Sequence, residues 1–356
     1  MKIGIPKEVK IKEYRISTLP EVVGKLTEQS HTVLVETGAG NESGFRDDDY
    51  RSVGATIVSS AAEAWNADLV VKVKEPLKEE FPFLREGLLL FTYFHFAASK
   101  EMTEELLKKK VDCLAYELVE GENHSLPLLS PMSEIAGKLA AQQAAKYLEK
   151  TYGGKGVLMG GAHDAEPARV LVFGTGVVGM NAAIVAAGMG ASVFLIDINP
   201  AKLAAATAIV PRSVGIDPKT MEKKEFFRSI DAFIGAVLIP GARAPKMLSA
   251  DDLDLLEPGS VLVDVAIDQG GCFETSRPTT HVDPVYSEKG IVHYCVANMP
   301  GAVPKTASVA LSRASAPYLM RLAEQGIGAT EKDQGLRKAL AISKGLILNP
   351  TVEALL

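Results

Sequence analysis

Three glycines fall in the run Gly174-Thr175-Gly176-Val177-Val178-Gly179, straight after the apolar stretch Arg169-Val170-Leu171-Val172-Phe173. Alone, that spacing is weak evidence. Its setting makes it specific, because an apolar strand leads in and an Ala-rich helix over 180–187 leads out. In that setting Gly174 permits a tight turn, Gly176 lets the backbone approach a pyrophosphate, and Gly179 lets helix and strand pack closely. The N–H groups that open the helix then point at the phosphates. A second apolar run, from Ser192 to Asp197, ends in an acid about 20 residues beyond the glycines, the distance of a ribose-binding carboxylate. Asp197 would accept hydrogen bonds from ribose hydroxyls and repel a 2′-phosphate. These residues predict a dinucleotide site that takes NAD.

Other candidates lie in the first half. His95 ends the apolar run 88–95, at the carboxyl end of a predicted strand. Ligands of open α/β sheets bind at such ends. By position alone a core histidine and a catalytic one are equally consistent. The other five histidines, His31, His124, His163, His281 and His293, read as ordinary surface residues. Lys72 and Lys74 close the run 68–76, and strand alternation points both to one side. Either is also consistent with a solvated edge charge. Arg15, in Glu13-Tyr14-Arg15, reads alone as a surface arginine. Two further runs sit just past apolar strands. One, 263–271, carries Asp264, Asp268 and the pair Gly270-Gly271; the other, 296–304, carries Asn298. Such residues orient a ligand or cap a turn.

The elements that must position these groups follow from periodicity. Short β-branched runs alternate with Ala/Leu-rich stretches, the pattern of β-α-β units around a buried parallel sheet. Strands are predicted at 2–5, 32–36, 68–73, 87–92 and 112–116, with helices at 19–28, 59–65 and 100–109. A long helix should start at Ser133, with Pro131 before it and Ser133 as its cap, and end at Gly153-Gly154. After a Gly-rich loop, 154–167, strands return at 169–173, 192–197, 232–236, 261–265 and 293–296. From Ala307 a helical pattern runs through 316–324 to a short polar tail. The last 50 or so residues are too few to fold alone and should pack back on the first domain. The expected division is 1–135 with 300–356, and 136–299 as the nucleotide domain.

Composition narrows the class. The 356 residues are 47% hydrophobic and 23% charged, ordinary for a globular protein. A net charge of −6 argues against a nucleic-acid surface. No apolar window is long enough for a membrane span, and MKIGIPKEVK lacks the apolar core of a signal peptide. Cys113, Cys272 and Cys295 form no CxxC pair, so neither a disulfide framework nor a metal site is expected. The expected address is the cytoplasm.

Taken together, these segments resemble the alanine dehydrogenases. The matching residues are Gly4-Ile5-Pro6-Lys7-Glu8 with Arg15, Lys72-Val73-Lys74-Glu75-Pro76, Phe94-His95, and Pro131-Met132-Ser133-Glu134. The runs 157–161, 235–241, 264–272, 276–280 and 296–300 continue the match over nearly the whole chain. The resemblance implies an α/β fold of two Rossmann-like domains, doubly wound parallel sheets, with the active-site cleft between them and often a homohexamer. It implies that Arg15 and Lys74 bind the substrate and that His95 and Asp268 are catalytic. It further implies NAD contacts from Ser133, Gly174, Gly176, Val177, Val178, Gly179, Asp197, Lys202, Val237 and Leu238. Val265, Ala266, Ile267, Asp268, Arg277, Val296, Ala297, Asn298 and Met299 complete that set. The activity implied is NAD-dependent oxidative deamination of L-alanine to pyruvate and ammonium, and its reversal. The chain departs from the pattern after Arg15 (Ile16-Ser17-Thr18-Leu19-Pro20), over 204–227, and after Ile327. The alternatives are the NAD-binding subunit of a proton-translocating transhydrogenase, or a non-catalytic NAD-binding regulator. His95, the Lys-Val-Lys-Glu-Pro run and the short stretch 197–231 favour the dehydrogenase.

Asp197 generates the first prediction. The protein should use NAD far better than NADP, and Asp197→Ala should weaken NAD binding by about 10- to 100-fold while narrowing that gap, the scale of a lost charged hydrogen bond. Steady-state kinetics with both cofactors checks this, and equal efficiencies in the wild type would refute it.

Overall fold

The computed structural model describes residues 1–237 and 244–354. Its apolar runs become strands, since a backbone buried on both faces must pair its polar groups within a sheet. The N-terminal part holds β1 (Lys2–Ile5), α1 (Pro20–Glu28), β2 (Thr32–Glu36), α2 (Asp47–Ser52), β3 (Thr56–Val58), α3 (Ala61–Trp65), β4 (Leu69–Val71), β5 (Leu89–Thr92), α4 (Lys100–Lys108) and β6 (Asp112–Ala115). Next come α5 (Ser130–Tyr147), β7 (Arg169–Phe173), α6 (Val177–Gly188), β8 (Ser192–Ile196), α7 (Pro200–Ile209), β9 (Ser213–Gly215), α8 (Lys223–Arg228) and β10 (Ala232–Gly235). The strands β11 (Val261–Asp264), β12 (Val285–Glu288) and β13 (Ile291–Tyr294) follow. The chain continues with α9 (Pro304–Gln325), α10 (Ala329–Lys332), α11 (Gln334–Ala339), β14 (Leu340–Ser343), β15 (Leu346–Ile347) and α12 (Pro350–Glu353).

Two compact units result, Met1–Met132 with the segment from Val303 onward, and Ser133–Ala302. In the first unit the sheet order is β15-β14-β6-β5-β4-β1-β2-β3, and in the second β12-β13-β11-β10-β7-β8-β9. Neighbours from β3 to β6 are all parallel, and so are those from β9 to β13. Each sheet therefore contains the doubly wound order, with the direction of winding reversed between β1 and β4, and between β7 and β10. Ligands of such sheets bind beyond the carboxyl strand ends at that reversal.

The first unit's core gathers Trp65, Leu90, Phe94, Met102, Ile342 and Val352. The second is built on Phe173, Phe227, Phe233 and Phe273, with Phe173 edge-on to Phe227 at 6.4 Å between ring centroids. In α9, Ser308 and Ser312 lie four residues apart on one face. Their Oγ atoms accept the Ile16 and Leu19 N–H groups, each at 2.9 Å. The returning C-terminal segment thus ties down the loop that carries Arg15.

Several expectations need correction. The sheets are parallel only in their centres, because β14 and β15 in one and β12 in the other are antiparallel edges. The long helix begins at Ser130, so Ser133 lies inside its first turns and does not cap it. Pro131 fits there because the first turn needs no intrahelical N–H. The helix after the glycine loop starts at Val177, directly behind the extended Gly176, and not at residue 180. The last strand of the second unit starts at Ile291, which makes His293 a buried residue and not a surface one. Its ring nitrogens meet Thr275 Oγ1 at 2.8 Å and the Ile291 carbonyl at 3.0 Å. The stretch after Ile327 is no mere polar tail, since it supplies α10, α11, α12, β14 and β15. Among the described residues no helix is long and apolar enough to cross a membrane.

The added edge should be needed for stability. Ile342 is 0% exposed in β14, whereas Leu348 is 50% exposed. Ile342→Ala should cost about 2–5 kcal/mol, as a core truncation does, and lower the urea midpoint. Leu348→Ala should stay within about 0.5 kcal/mol of the wild type.

Candidate functional site

In the first unit, parallel pairing sets the geometry. Val71 in β4 is level with Phe91 in β5. Beyond those strand ends the chains remain stitched together: the Tyr93 N–H donates to the Val73 carbonyl at 3.3 Å, and the Thr92 hydroxyl to the Lys74 carbonyl at 2.9 Å. Lys74 and His95 each lie three residues past their strand, so their side chains meet, with Lys74 Nζ 3.4 Å from His95 Nε2. Tyr93 stacks on the His95 ring at 5.9 Å and donates its hydroxyl to the Leu128 carbonyl at 2.5 Å. Burial first, and then the Lys74 ammonium, push the His95 imidazole down to about 3. His95 is therefore neutral at ordinary pH and has a lone pair to offer.

The two lysines of the 68–76 run part company here, and neither is a solvated edge charge. Lys72 is buried between Glu8, whose Oε2 lies 3.4 Å away, and Glu80, with the Trp65 ring 5.7 Å from its ammonium. Glu8 Oε1 accepts the Val73 N–H at 2.6 Å and the Lys74 N–H at 3.3 Å, so it braces the segment that presents Lys74. Burial raises the Glu8 carboxyl to about 7 against the pull of Lys72. Beside Lys74, burial pushes the Glu75 carboxyl up, but Lys74 and Lys10 outweigh it and hold it below its ordinary value. Lys10 Nζ reaches Glu75 Oε1 at 2.6 Å.

Arg15 is no surface residue. It is buried, with Nε 2.6 Å from Glu13 Oε1 and Nη2 2.5 Å from Glu13 Oε2, a two-point grip. Nη1 lies 3.2 Å from Met132 Sδ. Burial opposes the charge of the guanidinium, and the bonds from Glu13 more than restore it. Arg15 also acts electrostatically on both Tyr93 and His95, which places it in the same neighbourhood.

The second unit holds the glycine loop as the spacing predicts. Gly174 has φ +90°, and a Cβ there would meet the Ala236 carbonyl oxygen at 3.0 Å. A Cβ on Gly179 would lie 1.8 Å from the Gly174 oxygen, whereas one on Gly176 would meet nothing within 4 Å. Two glycines are thus required by the fold, and the third leaves open space where a pyrophosphate would approach. Gly176 opens α6 without a side-chain cap, and Val177 and Val178 form its first turn. Asp197 Oδ2 accepts both the N–H and the hydroxyl of Thr175, at 2.8 and 2.7 Å. Asn199 donates its N–H to Oδ1 at 2.8 Å. Burial raises the Asp197 carboxyl, but these bonds outweigh it and hold it below its ordinary value. Lys202 is exposed in the first turn of α7. These residues fit a dinucleotide: open backbone at a helix start, and an ionised acid one strand away.

Asp264 and Asp268 have different positions. Asp264 is buried, and its carboxylate accepts the N–H groups of Ala266, Cys272 and Phe273 and the Ser276 hydroxyl, at 2.5–3.2 Å. It shapes the loop through Val265, Ala266 and Ile267. Lys246 Nζ holds the same loop from the carbonyls of Gly270, Gly271 and Phe273, at 2.6–3.1 Å. The turn Ile267–Gln269 exposes Asp268. Arg277 lies on the Tyr286 ring at 4.1 Å. Val296, Ala297, Asn298 and Met299 follow β13, with Asn298 at φ +65°. Ser133 is in α5, Val237 follows β10, and Leu238 lies outside the described residues. No group of His, Cys, Asp and Glu among the described residues is arranged to hold a metal ion.

Sequence reasoning did not single out Glu8, Glu13, Tyr93, Glu117 or Thr175. Glu8, Glu13, Tyr93 and Thr175 lie inside runs already noted, whereas Glu117 had no local signal.

The chain matches two family models, "Alanine dehydrogenase/PNT, N-terminal domain" over residues 4–136 and "Alanine dehydrogenase/PNT, C-terminal domain" over 140–350. It is 46% identical over 355 residues to alanine dehydrogenase 2 of Staphylococcus aureus (strain USA300), covering 99% of this chain and 95% of that protein. A solved L-alanine dehydrogenase superposes with a TM-score of 0.95 at 46% identity, over 100% of this chain and 99% of that one. A transhydrogenase from Sinorhizobium meliloti is more distant, with a TM-score of 0.83 at 27% identity, over 98% and 99%.

The pairing of Lys74 with His95 is open to a direct check. Diethylpyrocarbonate modifies neutral imidazole, so its reaction at His95, read by peptide mass spectrometry, should keep its plateau rate to about pH 5 and below, where ordinary histidines are protonated. Lys74→Met removes the nearest positive charge, raises the His95 pKa, and should move the loss of reactivity to higher pH. An unmoved midpoint would mean that Lys74 does not act on His95.

Proposed function

We infer that this chain, which belongs to the alanine dehydrogenase/PNT family, is an alanine dehydrogenase that works with NAD. The reaction is L-alanine + NAD⁺ + H₂O ⇌ pyruvate + NH₄⁺ + NADH + H⁺. The observation that carries the reading is the Lys74–His95 pair at adjoining strand ends, with Arg15 close by. The transhydrogenase alternative is the weaker one, at 27% identity against 46%.

Each side chain has a role that its chemistry supports. Arg15, already oriented by Glu13, grips the substrate carboxylate. Bound NAD, held at the glycine loop and at Asp197, supplies the acceptor for the hydrogen on the alanine α-carbon. The amino group reacts in its neutral form, its proton released to solvent, and loss of the hydride then leaves an iminium, whose charge Asp268 offsets. Water adds to the iminium carbon while His95 takes a water proton on Nε2. Lys74 stabilises the oxygen that develops charge there, and later the carbonyl of pyruvate. His95 then returns that proton to nitrogen, takes the carbinol hydroxyl proton as the C–N bond breaks to give pyruvate, and passes it to the departing ammonia, which leaves as ammonium. The substrate carboxylate brings negative charge to this basic neighbourhood and so raises the basicity of the imidazole for the step. The NAD contacts proposed beyond the glycine loop are Ser133, Val177, Val178, Lys202, Val237, Leu238, Val265, Ala266, Ile267, Arg277, Val296, Ala297, Asn298 and Met299. A cytoplasmic homohexamer is the proposed working form.

The test is direct. Purified protein given L-alanine and NAD⁺ should make NADH without any partner, whereas a transhydrogenase subunit or a regulator would not. Lys74→Ala, His95→Ala and Asp268→Ala should each lower kcat by about 10² or more, the scale of lost acid–base or electrostatic catalysis. Arg15→Ala should act chiefly on the KM for alanine. A folded His95→Ala variant with near wild-type turnover would remove His95 from the mechanism.

A further inference from the structure

His95 is bound to its task by its backbone as well as by its ring. Its φ and ψ are +49° and +50°, the left-handed region that a residue with a side chain seldom occupies. A conformation of that kind persists only where the surroundings impose it. Here one side chain anchors the chain where it enters that conformation. Glu117 Oε1 accepts the His95 N–H at 2.7 Å and the Phe94 N–H at 3.0 Å, and Oε2 lies 3.3 Å from the same Phe94 nitrogen. The two N–H groups flank Phe94, so the carboxylate fixes the two peptide planes that lead into the left-handed residue. The fold brings Glu117 to the right height. β6 runs parallel to β5 with Ala115 level with Thr92, so the turn Tyr116–Leu118 begins beside the segment that leads into His95. The carboxylate is an acceptor on the backbone side of the histidine, while the ring on the other side faces Lys74.

We propose that Glu117 is a positioning residue for His95: it anchors the amide nitrogens of Phe94 and His95, and so sets where the left-handed residue starts and where its imidazole meets Lys74. The inference rests on the reading of His95 as the proton carrier. It assigns Glu117 no contact with substrate or cofactor. What matters is the reach of its acceptor oxygen. A misplacement on the order of 1 Å can cost about 100-fold in rate, so a small retreat of that oxygen should be visible.

Two variants separate reach from charge. Glu117→Gln keeps an acceptor oxygen at the same distance and removes the charge. Glu117→Asp keeps the charge and withdraws the oxygen by one methylene. Alanine oxidation by Glu117→Gln should stay within about fivefold of the wild-type kcat, and Glu117→Asp should lose about 10- to 100-fold. In both, the KM for alanine and the NADH affinity by fluorescence titration should stay within about threefold, because Arg15 and the glycine loop are untouched. Wild-type kcat in Glu117→Asp overturns the proposal. So does an equal loss in both variants, which would make the charge the cause. Failure of the near-isosteric Gln variant to fold also overturns it, since Glu117 would then be structural. His95→Ala serves as the control. If it keeps full activity, the reading of His95 is wrong; if it is inactive while Glu117→Asp is normal, only the role of Glu117 is wrong.

Discussion

Parallel strand pairing is the constraint on which everything else in this protein depends. Neighbouring parallel strands end on one edge of the sheet, so whatever follows each strand is delivered to that edge. Lys74 and His95 are 21 residues apart in the chain, yet their side-chain nitrogens lie 3.4 Å apart because β4 and β5 are level neighbours. Glu8 follows β1 and Glu117 follows β6, and they brace that pair from either side through backbone N–H groups. In the second unit the same rule puts the glycine loop after β7 beside Asp197 after β8.

The first unit concentrates charge where charge is costly, and it does so in matched sets. Lys72 is shut between two carboxylates, and Arg15 is clamped by Glu13. Removing one partner from such a set strands the other in a poor dielectric, at a cost of about 3–5 kcal/mol. The sets are best understood as alignment devices. Glu8 uses one oxygen for Lys72 and the other for the backbone of Val73 and Lys74, so one carboxylate links a buried cation to the segment that presents Lys74. Glu13 fixes the plane of the Arg15 guanidinium, as two-point recognition of a carboxylate requires.

The nucleotide unit relies on backbone and small residues more than on charge. Gly179 must lack a Cβ because the Gly174 carbonyl already occupies that space, and Asp197 is locked by two bonds from Thr175. Asp264 and Lys246 hold the loop of Asp268 from opposite chemistries, the acid on N–H groups and the lysine on carbonyls. The exposed acid is therefore carried on a loop whose backbone groups are already engaged.

Much of this was legible in the sequence, and the boundary between what was and what was not has a physical cause. Continuous apolar runs and the glycine spacing are local signals, so the central strands and the tight glycine turn between β7 and α6 could be read directly. Burial of a charged side chain is not local. Nothing in Lys72-Val73-Lys74 distinguishes the lysine sealed between Glu8 and Glu80 from the one that meets His95, because the distinction lies in partners distant in the chain. Arg15 looked like a surface residue for the same reason, although Glu13 stood only two places away. His293 lost its surface character once the strand began two residues early. The strands β14 and β15 form a hairpin at the sheet edge, outside the strand–helix alternation by which the others were read, and they form because an open sheet edge and a waiting core give them partners. The sequence alone determined which groups can do chemistry. Only the tertiary structure decided which of them are buried, paired and aimed, since those properties belong to contacts between residues that the chain order keeps apart.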